Sequence, residues 1–291
     1  MYRAKQAGRN SYQYFTSEIN QRTRARALLG TELRHALERE EFVLFYQPKF
    51  DLRSLRLCAA EALLRWKHPQ RGLVSPAEFI PSLEETGLIV QVGEWVLRRA
   101  CTDLKAMQAA GAEALPVAVN LSGRQFRQQD LGIRIKDILR SAGIAPSLIE
   151  LEITESHLMQ DPQHAIGVMR DLSDAGMRIA IDDFGTGYSS LAYLTQFPVT
   201  SLKIDRSFVA GILKQNGDAV IVRTIIEMAH TLGFTVVAEG VETETQADFL
   251  RDLRCEQAQG YLFARPMPLA EFISLLLAPR VYAPASPVKI T

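Results

Sequence analysis

The stretch Phe42 to Trp66, FVLFYQPKFDLRSLRLCAAEALLRW, decides how this chain folds. Two apolar runs, Val43 to Phe50 and Leu57 to Trp66, have the length and composition of strands, and only Leu52 to Arg56 lies between them. A parallel pair needs a crossover of a dozen or more residues, so this link predicts an antiparallel hairpin. Six further strand-like runs follow: Pro116 to Leu121, Leu148 to Thr154, Arg178 to Phe184, Ser201 to Asp205, Thr235 to Glu239 and Ala258 to Phe263. Helical patterns lie between them. Ser75-Pro76-Ala77-Glu78 reads as a capping box with proline at the first helical position. A helix from Leu88 to Ala110 stops at Gly111, one opening at Asp161-Pro162 stops at Gly176, and one from Asp218 to Leu232 stops at Gly233. Alternating strands and helices predict a parallel sheet, and eight strands in about 250 residues match a closed barrel. The expected fold is therefore α/β, a modified (β/α)8 TIM barrel with one antiparallel strand in an N-terminal hairpin.

Composition bounds the function. With 47% hydrophobic and 23% charged residues among 291, the chain is an ordinary globule with a sizeable core. No run approaches a membrane span, and the N-terminus lacks the apolar stretch of a signal peptide, so a cytoplasmic location is expected. Upstream segments could still anchor a longer protein to a membrane. Cys58, Cys101 and Cys255 are odd in number and widely spaced, which reads as small buried hydrophobes rather than a metal set or disulfides. A formal net charge of +0 argues against duplex nucleic acid as a partner, though not against a small anionic ligand.

Polar residues recur on the strand runs. Arg178 to Leu194, RIAIDDFGTGYSSLAYL, opens as a strand with Ile179 and Ile181 on one face and Ala180 and Asp182 on the other, then places Asp182 and Asp183 before glycines at 185 and 187. Glu61 lies in the second run, Asn120 near the end of the third, Glu152 near the end of the fourth, Lys203 in the sixth, Glu239 at the end of the seventh and Gln259 in the eighth. A barrel gathers its C-terminal strand ends at one mouth, where such folds carry their chemistry. None of the five histidines, His35, His68, His157, His164 and His230, falls on an expected strand end, so the donors are oxygens, which suit magnesium or manganese. Glu61, Glu152, Asp182, Asp183, Glu239 and Lys203 together carry a formal charge of −4, which two divalent cations would neutralise. A two-metal site suits in-line hydrolysis of a phosphate ester.

Ordered motifs then resemble one family closely. Glu61-Ala62-Leu63 spells the signature of EAL-domain cyclic di-GMP phosphodiesterases. With it stand Tyr46-Gln47-Pro48, Val119 to Ser122, Glu152 to Glu155, Asp182 to Leu191, Leu202 to Asp205, Ala238 to Glu242 and Gln259 to Phe263. The resemblance covers residues 28–278, and residues 1–16 are similar to the end of a GGDEF domain. Residues 17–40 read as a linker and first helix, and 279–291 as a C-terminal tail. The chain thus looks like the C-terminal part of a GGDEF–EAL protein, with upstream GGDEF or sensor domains and a homodimeric state as implied partners.

The resemblance also implies roles. Glu61, Asn120, Glu152 and Asp182 would hold one Mg2+ or Mn2+ ion, with Asp182 or Asp183 shared toward a second and Glu239 as general base or second-metal ligand. Lys203 would position the attacking water and offset charge, and Gln259 would orient the same region. Gln47, Leu64 and Arg65 would contact cyclic di-GMP, together with Asn120, Asp182 and Gln259. Glu155 would anchor a loop of Gly185, Gly187, Tyr188 and Ser189 that couples dimerisation to activity. The implied reaction is two-metal hydrolysis of cyclic di-GMP to linear pGpG. The alternative is a catalytically silent cyclic di-GMP receptor, although such domains typically lose an acid and every acid of this set is present. Two departures from the family pattern are Lys49 after Gln47-Pro48, where an apolar residue is usual, and Glu256 in place of an aspartate.

Overall fold

The structure is a computed structural model that describes residues 29–187, 190–214 and 217–278. The expectations for residues 1–28, for Tyr188 and Ser189, and for the tail at 279–291 lie outside these residues.

Helix α1 covers residues 29–38 and buries Leu33 and Ala36 completely. Strands β1 (Phe42–Asp51) and β2 (Leu57–His68) form the expected antiparallel hairpin, running from Phe42 opposite Trp66 to Phe50 opposite Leu57. Strand β3 (Gly72–Val74) pairs antiparallel with β2 and leads into α2 (Pro76–Thr86) and α3 (Ile89–Ala109). The βα units follow. They run β4 (Val117–Leu121), α4 (Gly123–Phe126), α5 (Leu131–Ala142), β5 (Ile149–Thr154), α6 (Glu155–Leu158), α7 (Pro162–Asp174), β6 (Arg178–Phe184) and α8 (Leu191–Leu194). Next come β7 (Ser201–Ile204), α9 (Arg206–Gly211), α10 (Asp218–Thr231), β8 (Thr235–Glu239), α11 (Glu244–Asp252), β9 (Gln257–Gln259), β10 (Met267–Pro268) and α12 (Leu269–Leu277).

Strands β2, β4, β5, β6, β7, β8 and β9 are parallel neighbours in that order, and β9 closes the ring by pairing antiparallel with β1. The barrel therefore has one reversed strand, as the short link requires. Outward-facing residues are apolar and covered by helices: Val117, Val119, Ile149, Leu151, Ile153, Ile179, Ile181, Leu202, Ile204 and Val236 are each at most 1% exposed. Burying each large aliphatic side chain is worth roughly 1.5–3 kcal/mol, which holds the helix shell on the barrel. The inward parity is polar instead. Gln47, Lys49, Glu61, Glu152, Asp182, Lys203 and Gln259 are all buried.

Three sequence expectations change. The eighth strand is only Gln257–Gln259, because Gly260 passes directly over the loop after β8. A Cβ on Gly260 would lie 2.0 Å from the Val241 carbonyl oxygen, and the backbones lock there through Val241 N to Gln259 O and Leu262 N to Val241 O. Upstream, Ser75 precedes α2 without a side-chain cap bond, and the Glu78 carboxylate pairs with Arg71 Nη2 at 2.5 Å. Capping boxes form instead at Ser122/Gln125 and Thr243/Gln246. Finally, β2 runs two residues beyond Trp66, so His68 does end a strand; its Nδ1 accepts from the Gln70 and Arg71 amides of the turn into β3.

Candidate active site

The site is built on strand ends that alternation alone would not assemble. In β6, Ile179 and Ile181 face the helices and Asp182 faces the barrel, so regular alternation would send Asp183 outward. Instead Asp183 takes a left-handed φ of +52°, and the β6–β7 register shifts between Ile181 and Phe184. This irregularity brings both neighbours to the mouth. Carboxylate oxygens of Asp182, Asp183 and Glu239 lie within 4.8 Å of one another.

Behind the bulge, Gly185 has a φ of +96° and donates its N–H to Glu155 Oε2 at 2.8 Å. Glu155 is 1% exposed, and a Cβ on Gly187 would stand 3.0 Å from its other oxygen. The start of the glycine loop is thus folded onto one buried carboxylate.

Lys203 is the electrostatic centre. Its Nζ, reaching up from β7, lies 2.7 Å from Glu152, 2.7 Å from Glu239, 3.1 Å from Asp182 and 3.8 Å from Glu61. Glu61 is oriented from two sides: Oε1 accepts from Asn120 Nδ2 at 2.7 Å and Oε2 from Gln259 Nε2 at 2.7 Å. Gln259 Nε2 also donates to Gln47 Oε1 at 2.9 Å, and Gln47 Nε2 is tied to the Ala264 carbonyl at 3.1 Å.

Charge balance shows in the pKa values. Burial pushes Glu61 up, aided by Glu152, and pushes Glu239 up to about 8 against the opposing Lys203. Burial and the adjacent Asp182 raise Asp183. Burial acts on Glu152 in the same sense, yet Lys203 and Lys49 outweigh it and hold its carboxyl at about 2. Lys203 itself is raised well above its usual value, its surrounding carboxylates overcoming burial. Two ammonium groups, Lys203 and Lys49, among six acids with Glu150 included leave negative charge uncompensated, which is the electrostatic condition for binding hard cations.

The donor set fits divalent cations. All of its groups are carboxylate or amide oxygens, three carboxylates converge, and Gln259 Oε1 is buried beside Glu61 with no hydrogen-bond partner among the described residues. The Asn120 amide points its nitrogen at Glu61 and so leaves Oδ1 for another ligand.

The acids open onto a cavity of about 580 Å³ lined also by Gln47, Leu63, Thr186, Asp205, Arg206 and Tyr261. Leu64 and Arg65 line a neighbouring, more apolar cavity of about 280 Å³, which Leu63 and Asn120 also border. Arg65 lies over the Phe45 ring and donates to the Leu64 carbonyl at 2.9 Å. Glu150 escaped the sequence reading, and Lys49 entered it only as a departure from the family pattern, not as a barrel residue. Lys49 and Glu150 meet below the acids at 2.8 Å, Lys49 with no exposure at all. Period-two alternation was the available signal, since Lys49 shares the parity of Gln47 and Glu150 that of Glu152.

Comparison with known proteins gives a consistent result. The sequence model of the EAL domain family matches residues 31–266. The bifunctional diguanylate cyclase/cyclic di-GMP phosphodiesterase MucR of Pseudomonas aeruginosa is 44% identical over 274 residues, covering 94% of this chain and 40% of that protein. The cyclic di-GMP phosphodiesterase NbdA of the same organism is 43% identical over 280 residues, covering 96% of this chain and 36% of that protein. The chain thus spans less than half the length of these curated relatives. The solved PaMucR phosphodiesterase in complex with c-di-GMP is 45% identical with a TM-score of 0.82, over 84% of this chain and 99% of that one.

Proposed function

The chain belongs to the EAL domain family, and from that premise we propose that it hydrolyses cyclic di-GMP to linear pGpG with two divalent cations at the barrel mouth. The observation that carries this reading is the convergence of Glu61, Glu152, Asp182, Asp183 and Glu239 around Lys203, with none of the acids missing.

Glu61, Asn120 Oδ1, Glu152 and Asp182 would hold one Mg2+ or Mn2+ ion, and Asp182, Asp183 and Glu239 the other. When bound, such ions make water more acidic and stabilise charge on the phosphoryl oxygens. The protein supplies the rest. Lys203 helps hold Glu152 ionised and would orient a water toward phosphorus. As the alternative to holding the second ion, Glu239, whose Oε1 is held by Lys203 at 2.7 Å, would use Oε2 as the general base that accepts the proton of the attacking water. Water adds to phosphorus, the 3′ oxygen leaves and takes up a proton, and the ring opens to a dinucleotide with a 5′ phosphate. Gln47 and Gln259 hold the wall beside Glu61. Leu64 and Arg65 offer the apolar cavity to one guanine, and the guanidinium is suited to a phosphate or a guanine edge.

Glu155, through Gly185, ties the loop after β6 to the acids, and this is the connection we propose for coupling a homodimer interface to turnover. The longer protein would place GGDEF or sensor domains upstream, and the site would face the cytoplasm; no helix among the described residues is long and apolar enough to cross a membrane.

The test is incubation of the chain with cyclic di-GMP in magnesium, manganese or EDTA, followed by chromatographic separation. Metal-dependent pGpG is the expected result. Saturable binding without product would establish the silent receptor instead.

A further inference from the structure

The ring of inward-facing residues one layer below the acids is unusual for a barrel interior. Such layers are ordinarily filled by bulky branched side chains. Here the register brings Lys49 beside Ala59, Ala118 beside Glu150, and Ala180 beside Ser201. These small residues are each at most 7% exposed, and Lys49 lies among them with no exposure. Its stem crosses from the reversed strand β1 to β5, and its Nζ lies 2.8 Å from Glu150 Oε1 and 2.8 Å from Glu152 Oε1. Ser201 Oγ donates to the remaining Glu150 oxygen at 3.2 Å.

Neutralising Glu150 would require no contact with Glu152. Yet Glu152 divides its two oxygens between two ammonium groups, Oε1 to Lys49 on β1 and Oε2 to Lys203 on β7 at 2.7 Å. A carboxylate gripped at both oxygens has one orientation available. The Lys49–Glu150 pair adds no net charge to the acid set, and what Lys49 gives Glu152 besides its charge is a second fixed contact, at Oε1.

We propose that Lys49 is a positioning residue for the metal centre: from the barrel floor it fixes the rotamer of Glu152 and so sets the affinity for the divalent cation. This rests on the function proposed above, in which Glu152 is a metal ligand. Groups that orient a ligand from behind typically contribute about 10–100-fold in metal affinity or activity.

The experiment titrates Mn2+ into the purified whole chain by electron paramagnetic resonance, without substrate, for wild type, Lys49→Met and the double variant Lys49→Met/Glu150→Gln. Folding is followed by circular dichroism, and turnover is measured alongside. The double variant leaves no unpaired charge at Glu150, so it carries the measurement if the single variant fails to fold. Both variants are expected to weaken Mn2+ binding about 10–100-fold. At saturating Mn2+ their KM for cyclic di-GMP should stay close to wild type while kcat falls. Recovery of wild-type Mn2+ affinity in the double variant would overturn the proposal, because Lys49 would then only neutralise Glu150. Unchanged binding in Lys49→Met would overturn it also. A wild-type chain that binds no Mn2+ overturns the metal-dependent function together with this inference, whereas tight wild-type binding retained in both variants overturns this inference alone.

Discussion

Asp183 follows Asp182 in the same strand, yet their carboxylate oxygens lie within 4.8 Å of each other and of Glu239 because Asp183 is in the left-handed region at φ +52°. That conformation costs an L-residue roughly 1–2 kcal/mol, with aspartate among the residues that tolerate it best. The strain is the means by which one strand delivers two adjacent acids to the same mouth.

Asp183→Asn should keep the backbone and the fold while removing one charge from the acid cluster. Turnover is expected to fall by about two orders of magnitude or more, with a melting temperature at or above wild type, since raised carboxyls destabilise the metal-free site. Asp183→Val should lose stability as well, by at least about 1 kcal/mol in denaturant titration, because a β-branched residue resists positive φ. Equal melting temperatures for the two variants would contradict the structural account of the bulge.

Glu61→Ala should abolish turnover by removing the proposed metal ligand that Asn120 and Gln259 hold in place. Cys101→Ala, in the buried face of α3, should cost about 1 kcal/mol of stability and leave turnover nearly intact. Equal hydrolysis by both variants would show that the site is elsewhere.

Glu239 gives the metal-free protein a pH dependence. Burial raises its carboxyl to about 8, so the folded state retains a proton that the unfolded state has already released. That contribution to stability is complete below the ordinary carboxylate range and is lost as pH rises through about 8. Glu61 shifts in the same direction, while Glu152, held at about 2, titrates outside this window. In EDTA the melting temperature should therefore decline between about pH 5.5 and pH 8.5, with a shallower decline in Glu239→Gln. Excess Mn2+ should flatten the wild-type curve, because the ion replaces the proton as counter-charge.

Gly260→Ala tests the crossing that shortens the last barrel strand. Its Cβ would meet Val241 backbone atoms at 2.0 to 2.7 Å, and backbone cannot swing aside as a flexible side chain can. The variant should lose roughly 3 kcal/mol or more, or fail to fold, as overpacked sites do at the upper end. A soluble variant should also lose turnover, since Gln259 would no longer reach Glu61 and Gln47 together. Wild-type melting and activity would refute the tight crossing.

The sequence by itself determined the barrel, its reversed first strand and most of its acid set. Those features follow from local rules: a five-residue link cannot hold a crossover helix, and period-two alternation fixes which residues face inward. The ordered motifs added the family. Tertiary structure alone decided which of the residues work together. Asp183 joins Asp182 only because the β6–β7 register slips, Gln259 ends its strand only because Gly260 crosses Val241, and Lys49 finds Glu152 only across a layer where other strands place Ala59, Ala118, Ala180 and Ser201. Each depends on the distance between segments remote in sequence, which close packing inside a closed barrel sets and no local pattern encodes.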